Sequence, residues 1–448
     1  MTRRDDPDLL RRGTLIAGVL SLSSLVLPPL EAAVPGSRPR VLQGPMVGDT
    51  GPDYFSIWAR ISDRHAVAIE YADNPAMRGA RRTASAMAEP AGDHVVVLRV
   101  HGLDAATVYW YRVLCDGQPD PYGTEPHPVR TAPRQGASLR IAFGSCARLA
   151  LDAEQPIFRA IAASRPDLFL WLGDNVYVDS TAAHAFADEY NRQRSVPALQ
   201  PLIRSVPQLA TWDDHDYGLN NADRTSPTKA IAFDAFRRYW ANPAYGLPEA
   251  PGTFFRKHWA GVDFFFLDVR SWRDPGDAAD GPGKTQLGRV QKAWLKRELA
   301  ASTATFKVLI SGVGWCTTGG SKFGESWGAY AHERNELLDF VRDRRIGGVF
   351  GISGDTHVGE LNRIPGAARN SCDFHELVAS PLAQPPRAST EDMQVAERLR
   401  PVYQRSSNFG TLEFDLGQEP QVTLSLCDTA GTPVWTPLVL AAAELMPR

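Results

Sequence analysis

Four apolar runs in the chain each end in a short group of polar residues, at 139–143, 168–172, 210–212 and 349–352. Runs of this length and composition predict buried strands. The polar groups that follow them are Ser145-Cys146, Gly173-Asp174-Asn175-Val176-Tyr177, Asp213-Asp214-His215-Asp216 and Gly354-Asp355-Thr356-His357. Because α/β sheets gather ligand groups at the carboxyl ends of their strands, the pattern predicts one functional site built from all four groups.

The region 138–440 alternates between strand and helix patterns. Apolar residues at helical spacing predict helices over 154–164, 227–240, 285–299 and 333–344. Further strands are predicted at 264–268, 306–311, 348–352, 411–414 and 422–426. This order predicts an α/β catalytic domain.

Residues 38–132 have a different pattern. Short alternating segments rich in β-branched and aromatic residues, separated by turn residues, lie at 54–59, 66–71, 94–100 and 108–113. They predict a small antiparallel β-sandwich of the immunoglobulin or fibronectin type. Since this region has no cluster of titratable residues, we interpret it as a structural or substrate-edge domain.

The first 33 residues read as an export signal. Arg3-Arg4 and Arg11-Arg12 precede an apolar stretch at 15–30, which is short and broken by prolines, unlike a membrane span. Arg11-Arg12-Gly13 suggests the twin-arginine route, which carries proteins already folded around metals. The segment would then contact the export machinery and the protein would be periplasmic or extracellular. A disordered or anchoring N-terminus is the alternative, and whether the signal is cleaved stays open.

Composition narrows the class of protein. With 448 residues, 48 Lys+Arg and 51 Asp+Glu, the chain is long enough for two domains and nearly neutral. No dense basic run indicates nucleic-acid recognition. If Cys146 binds a metal, the four other cysteines allow three pairings, and export would permit disulfides. Cys316 follows a strand end, so lining the pocket is an alternative role for it.

The first two polar groups offer ligands of mixed hardness. Asp174 directly follows Gly173, so its carboxylate can leave the sheet edge and bridge two cations. Tyr177 could bind a strongly acidic trivalent ion as a phenolate. Its alternative role, and that of Cys146, is in the hydrophobic core.

The other two groups are rich in hard ligands. Consecutive ionisable residues beside Trp212 are costly to bury without a cation, and an oxygen of Asp213 or Asp214 suits calcium, with Asn220 as a further ligand. His215 could give a proton to a leaving oxygen. Asp355 and His357 would lie on one side of an extended segment, a spacing that suits two ligands; an exposed acidic loop and a core histidine are the alternatives.

These residues resemble the PhoD-like (alkaline phosphatase D) family of the calcineurin-like metallophosphoesterase superfamily. The matching segments are GPMVGD (44–49), IWAR (57–60), FGSC (143–146), WLGDNVY (171–177), WDDHDYGLN (212–220), LDVR (267–270) and SGDTHVGEL (353–361). They cover nearly the whole mature chain in the right order. The two segments around His215 and His357 are specific only in combination.

The resemblance implies a four-layer αββα sandwich behind the β-sandwich domain, and a binuclear centre of Fe(III) with Ca(II), zinc or manganese being alternatives. It assigns the iron to four residues, Cys146, Asp174, Tyr177 and His357. Asp174 would bridge to a second site formed by Asp213 or Asp214, Asn220 and Asp355. Asn221 departs from the family pattern, in which a close branch has aspartate.

The same resemblance implies an exported phosphoesterase. Its substrate would be a small-molecule, lipid or polymer phosphoester, either a monoester or a diester. His215 would protonate or stabilise the transition state, Arg270 would grip phosphate oxygens, with an ion pair as its alternative role, and Asn220 would also contact the substrate. A phosphodiesterase or phospholipase on the same scaffold, and a non-catalytic exported binding protein, are the alternative functions. The oligomeric state stays open.

Overall fold

The structure is a computed structural model that describes residues 38–136, 138–318, 325–367, 370–388 and 394–447. The predicted export signal at 1–33 lies outside these residues. The described chain from Pro39 onward belongs to one compact unit. None of its helices has both the length and the apolar character needed to cross a membrane.

The chain begins with a small antiparallel sandwich. Its strands are β1 (Val41–Thr50), β2 (Tyr54–Ile61), β3 (Ala66–Ala72), β4 (Arg81–Arg82), β5 (Ala86–Met87), β6 (Val95–His101), β7 (Val108–Cys115), β8 (Gln118–Pro119) and β9 (His127–Arg130). One sheet has the order β1-β2-β6; the other has the order β4-β3-β7-β8, with β5 on β3 and β9 on β7. Inward-facing residues such as Phe55, Ile69 and Tyr111 form the core between the sheets. The predicted β-sandwich is therefore present.

Two large mixed sheets follow. Their strands, with a short ribbon β13-β14, are β10 (Ser138–Gly144), β11 (Leu168–Leu172), β12 (Gln208–Thr211), β13 (Gly246–Leu247), β14 (Ala250–Pro251), β15 (Phe255–Trp259), β16 (Val262–Phe266), β17 (Phe306–Ile310), β18 (Val349–Ser353), β19 (Glu360–Ile364), β20 (Phe374–Val378), β21 (Glu397–Arg398), β22 (Asn408–Asp415), β23 (Gln421–Asp428) and β24 (Leu438–Ala441). The first sheet has the order β12-β11-β10-β22-β23-β24 and the second has the order β15-β16-β17-β18-β20-β19-β21.

The helices of this region cover the outer faces of both sheets, except for the four-residue helix that follows β12 at the strand ends. They are α1 (Ile157–Ala163), α2 (Ala183–Arg194), α3 (Gln200–Ile203), α4 (Asp214–Tyr217), α5 (Lys229–Tyr239), α6 (Gly288–Ala301) and α7 (Ala331–Asp343). Phe158 of α1 packs with Trp171 of β11, whereas Leu337 of α7 belongs to a separate core with Leu309 of β17. A third core, which contains Leu170, fills the space between the sheets. The predicted four-layer αββα sandwich is confirmed.

A buried ion pair ties the N-terminal sandwich to the second large sheet. Lys257 of β15 donates from Nζ to Asp49 Oδ1 at 2.5 Å and to the Thr50 carbonyl at 2.6 Å. The side chains of Lys257 and Asp49 are only 7% and 1% exposed. Removing one member of such a pair leaves an uncompensated buried charge.

We therefore expect Asp49→Ala to lower the free energy of unfolding by about 3–5 kcal/mol. Urea titration measures this change, with Asp53→Ala as the control because Asp53 is exposed in the next turn. Equal stability of the two variants would contradict the assignment of this pair as a structural contact.

Candidate metal centre

The candidate site forms where the carboxyl ends of strands from both sheets meet. In the first sheet β10, β11 and β12 run parallel, so the residues that follow them emerge at the same edge. The second sheet contributes the segment after β18, where the amide of Gly354 donates to the Gly312 carbonyl at 3.1 Å and the amide of Asp355 donates to Ser145 Oγ at 3.3 Å. The four predicted polar groups are therefore neighbours.

One side of the site combines a thiol, a phenol and an imidazole around Asp174. Asp174 Oδ2 lies 3.4 Å from Cys146 Sγ and accepts a hydrogen bond from the Tyr177 hydroxyl at 3.2 Å. Ligand atoms of Cys146, Asp174 and His357 all lie within 4.8 Å of one another. Burial and the Asp174 carboxylate raise the pKa of the Cys146 thiol well above its usual value. A bound cation would favour the thiolate instead.

The other side of the site is dominated by carboxylates. Ligand atoms of Asp174, Asp214 and His215 also lie within 4.8 Å of one another, so Asp174 belongs to both groups. Burial, with the charges of Asp214 and Asp213, raises the pKa of Asp174 well above its usual range. Burial and the nearby acids Glu325, Asp213 and Asp214 do the same to Asp355. Too little positive charge surrounds these acids to stabilise their charged forms. A bound cation would supply that charge.

The two consecutive aspartates at the start of α4 have different partners. Asp213 Oδ1 accepts from Arg270 Nε at 2.5 Å, and Asp213 Oδ2 has no hydrogen-bond partner among the described residues. Although burial acts in the opposite direction, the charges of Arg270 and His215 lower the pKa of Asp214. Of the pair that the sequence left open, Asp214 is the one grouped with Asp174.

Arg270 is fully buried. Its guanidinium contacts Asp213, donates from Nη2 to Glu325 Oε2 at 3.0 Å and donates from Nη1 to the Ala222 carbonyl at 3.4 Å. Every nitrogen of the group thus has an acceptor inside the protein. These contacts support the ion-pair alternative for Arg270 over the predicted grip on phosphate.

The asparagines after α4 also differ from expectation. Asn220 is exposed, whereas the backbone N–H of Asn221 donates to Asp214 Oδ2 at 2.7 Å. With its side-chain nitrogen turned toward Glu325, Asn221 lies 2.5 Å from Oε1 of that carboxylate. The structure therefore favours Asn221 over Asn220 as the amide beside the acids. Glu325 was not predicted, because no apolar run or motif precedes it in the sequence.

His215 lies between a phenol ring and a carboxylate. Its ring centroid is 4.1 Å from that of Tyr177, and its Nδ1 lies 2.5 Å from Asp179 Oδ1. Burial opposes protonation, but Asp179 and Asp214 outweigh it and raise the pKa of His215. Sequence reasoning missed Asp179. The signal that could have found it is a carboxylate two residues after Tyr177, since a proton-donating imidazole needs a partner that holds its other nitrogen.

The backbone at the site departs from extended geometry. The segment with Asp355 and His357 was predicted to be extended, which is wrong: their φ angles are 70° and 57°. Cys146 and Asp174 also have positive φ angles, 63° and 51°. Such conformations cost about 1–3 kcal/mol each for non-glycine residues and concentrate at functional sites. The left-handed turns let short loops aim these side chains at one point.

Gly173 is required at this point of the loop for two reasons. Its φ is 106°, and a Cβ there would lie 2.8 Å from the Asp213 amide nitrogen. The close approach of these two backbones places Asp174 beside the acids of α4.

The four cysteines that could have formed disulfides do not do so. All five cysteines of the chain, which lie within the described residues, are free thiols. Cys316 is fully buried, and its amide donates to Glu376 Oε2 at 2.8 Å.

The four-layer sandwich with this cluster at its strand ends defines a metallophosphoesterase fold. The chain belongs to the PhoD-like phosphatase family, since the family model "PhoD-like phosphatase" matches residues 141–424. The model of that family's N-terminal domain matches residues 29–133.

Individual relatives agree with this membership. The chain is 26% identical over 373 residues to alkaline phosphatase D of Bacillus subtilis (strain 168), covering 69% of this chain and 63% of that protein. A solved structure of PhoD matches with a TM-score of 0.74 at 20% identity, covering 88% of each chain. A purple acid phosphatase from yellow lupin (Lupinus luteus) seeds matches with a TM-score of 0.68 at 11% identity, covering 91% of this chain and 75% of that one. At these identities the two structures support the fold alone.

Proposed function

We propose that the chain is an exported, metal-dependent phosphoesterase that hydrolyses phosphate monoesters, diesters or both at a binuclear centre. The observation that carries this function is the shared position of Asp174, whose carboxylate belongs to both groups of potential ligand atoms. Membership of the PhoD-like phosphatase family supports the reaction class. The substrate is a small-molecule, lipid or polymer phosphoester, and export rests on the sequence of residues 1–33.

The donor set suits two different cations. The first cation, Fe(III) or else zinc or manganese, would be held by a thiolate, a phenolate, an imidazole and a carboxylate. These ligands are Cys146, Tyr177, His357 and Asp174. The carboxylates of Asp174, Asp214 and Asp355 are hard donors that would hold Ca(II). Asp213 and Asn220 remain candidate ligands of this second site. Bound metal ions supply Lewis acidity toward phosphoryl oxygens and lower the pKa of water.

His215 is the proton donor in this proposal. Its Nδ1 is held by Asp179 at 2.5 Å, which leaves Nε2 as the nitrogen that can give a proton to the leaving-group oxygen. The Asp179 carboxylate fixes the orientation of the imidazole and stabilises its protonated form. Contact with the Tyr177 ring, which is tilted by 31° from the imidazole plane, keeps the imidazole beside Asp174.

The experiment that tests the proposed function measures metals and turnover on the same protein. We expect elemental mass spectrometry of protein exported by a native-like host to find iron and calcium near stoichiometry. A panel of mono- and diester substrates then tests hydrolysis and separates the two ester classes. A folded protein without metal and without turnover would favour the non-catalytic alternative.

Cys146→Ser tests the assignment of the metals to the two sides of the site. We expect this variant to lose iron and keep calcium, because only the iron side includes the thiol. Cys115→Ser is the matched control, since Cys115 is a buried free thiol in the N-terminal sandwich. Zinc or manganese in place of iron, with no loss in Cys146→Ser, would return Cys146 to a core role.

A further inference from the structure

We propose that Arg148 binds the unesterified, charged oxygens of the substrate and makes the site favour phosphate monoesters over diesters. This inference rests on the proposed function and names the substrate class of that same site. It starts from the burial of Arg270, whose nitrogens already contact Asp213, Glu325 and the Ala222 carbonyl. A more exposed cationic side chain is therefore better placed to meet the substrate beside the metal ions.

The backbone holds Arg148 at the edge of the candidate metal centre. The amide of Ala147 donates to the Asp174 carbonyl at 2.9 Å, and the amide of Arg148 donates to the Ala383 carbonyl at 3.1 Å. These bonds fix the short segment after Cys146 between the loop that carries Asp174 and a strand-end loop of the second sheet. The base of the Arg148 side chain is thus as well positioned as the candidate ligands.

The side chain of Arg148 lies beside Tyr177 and Asp179, the two residues that contact the proton donor His215. Its guanidinium carbon lies 4.9 Å from the Tyr177 ring centroid, and Nη2 lies 3.7 Å from Asp179 Oδ2. The other oxygen of Asp179 contacts His215 Nδ1. One carboxylate therefore joins Arg148 and His215, and both lie against Tyr177, whose hydroxyl bonds to Asp174.

The guanidinium is accessible and loosely held. Its side chain is 37% exposed, whereas that of Arg270 is 0% exposed. A separation of 3.7 Å from Asp179 is too long for a hydrogen bond. Ion pairs between exposed groups contribute only about 0–1 kcal/mol, so an incoming phosphoryl group can replace Asp179 as the partner.

The charge and shape of a guanidinium discriminate between the two ester classes. A monoester dianion carries two negative charges shared over three non-bridging oxygens, and a guanidinium can bind two of these oxygens with parallel N–H groups. A diester replaces one of these oxygens with an alkoxy group and carries one charge less. Loss of Arg148 should therefore weaken the binding of monoesters more than that of diesters.

The test compares kcat/KM of metal-loaded Arg148→Gln for p-nitrophenyl phosphate and bis(p-nitrophenyl) phosphate. We expect kcat/KM to fall about 10-fold to 100-fold for the monoester, because the substrate loses one charged hydrogen-bonding partner. The fall for the diester should be much smaller. Arg148→Lys, which keeps the charge without the planar fork, should fall in between. Arg159→Gln is the matched control, because Arg159 is exposed on α1. Equal falls for both esters, or none, would overturn the proposal.

Calorimetric titration with inorganic phosphate and with dimethyl phosphate decides the same question without turnover. We expect Arg148→Gln to weaken phosphate binding about 10-fold or more and to leave dimethyl phosphate unchanged. A wild-type protein that hydrolyses neither ester would contradict the proposed function, while the titration would still test Arg148. Unchanged phosphate affinity would exclude the role given to Arg148.

Discussion

Asp174→Asn is expected to abolish hydrolysis, lowering kcat/KM by at least about 10³-fold, and to deplete both metals. The reason is the position of its carboxylate. Oδ2 lies 3.4 Å from Cys146 Sγ, and Oδ1 accepts the amide of His215 at 3.3 Å. No other carboxylate among the described residues belongs to both groups of ligand atoms. Elemental mass spectrometry and steady-state kinetics on the same preparation measure the two effects.

Asp174→Asn should stabilise the metal-free protein, although it abolishes hydrolysis and metal binding. Burial and the neighbouring acids raise the pKa of Asp174 well above its usual range, so its charge is unfavourable without a cation. Asparagine has the same shape without the charge. We therefore expect metal-free Asp174→Asn to unfold at a higher urea concentration than metal-free wild type, and the order to reverse when metal is present.

Asp188→Asn is the control for both measurements, because Asp188 is an exposed aspartate on α2. It should leave activity, metal content and stability unchanged. Normal turnover with normal metal content in Asp174→Asn would show that the bridging position is assigned to the wrong residue.

The location of the candidate site could be predicted from the sequence because it depends on strand direction. Runs such as 168–172 are apolar on both faces, as expected of strands buried between two layers, and all five residues of β11 are buried. Once β10, β11 and β12 are parallel, the residues after them must meet at one edge. Local pattern and topology together therefore predict Cys146, Asp174 and the aspartates of α4 as neighbours.

The roles of the charged residues in that site could not be predicted in the same way. Whether Arg270 faces substrate or Asp213 depends on which side chains approach it from distant segments, and Glu325 comes from a segment with no motif. The choice between Asn220 and Asn221 depends on one turn, in which Asn221 has a φ of 61°. Contacts between distant segments decide the first two cases and the local turn decides the third, and none of these can be derived from the pattern of a single sequence.

Helix α2 was missed for a related reason. Its buried face includes Phe186 and Tyr190 but continues with Gln193 and Arg194. The guanidinium of Arg194 stacks on the Trp240 ring at 4.1 Å, and Gln193 exchanges hydrogen bonds with Gln155. Polar residues buried by such specific partners do not produce apolar periodicity.

For an alkyl phosphate, His215→Ala is expected to lower kcat about 10²-fold to 10⁴-fold while leaving both metals bound, because a proton donor accelerates a step without holding a cation. Asp179→Asn should lower kcat less, since it disturbs the orientation of the imidazole and keeps the ring. The two effects should not add, because Asp179 acts through His215. His184→Ala, an exposed histidine on α2, is the control. Loss of metal from His215→Ala would instead make His215 a ligand.

Substrates with different leaving groups distinguish proton donation by His215 from a merely structural role. p-Nitrophenolate is stable without a proton, whereas an alkoxide needs one as it departs. The rate loss in His215→Ala should therefore be small for p-nitrophenyl phosphate and large for an alkyl phosphate, with a steeper dependence of kcat on leaving-group pKa than in wild type. A collapsed or displaced site would slow both substrates alike. The difference between the two rate losses thus gives the contribution to kcat of the proton that His215, oriented by Asp179, donates to the leaving oxygen.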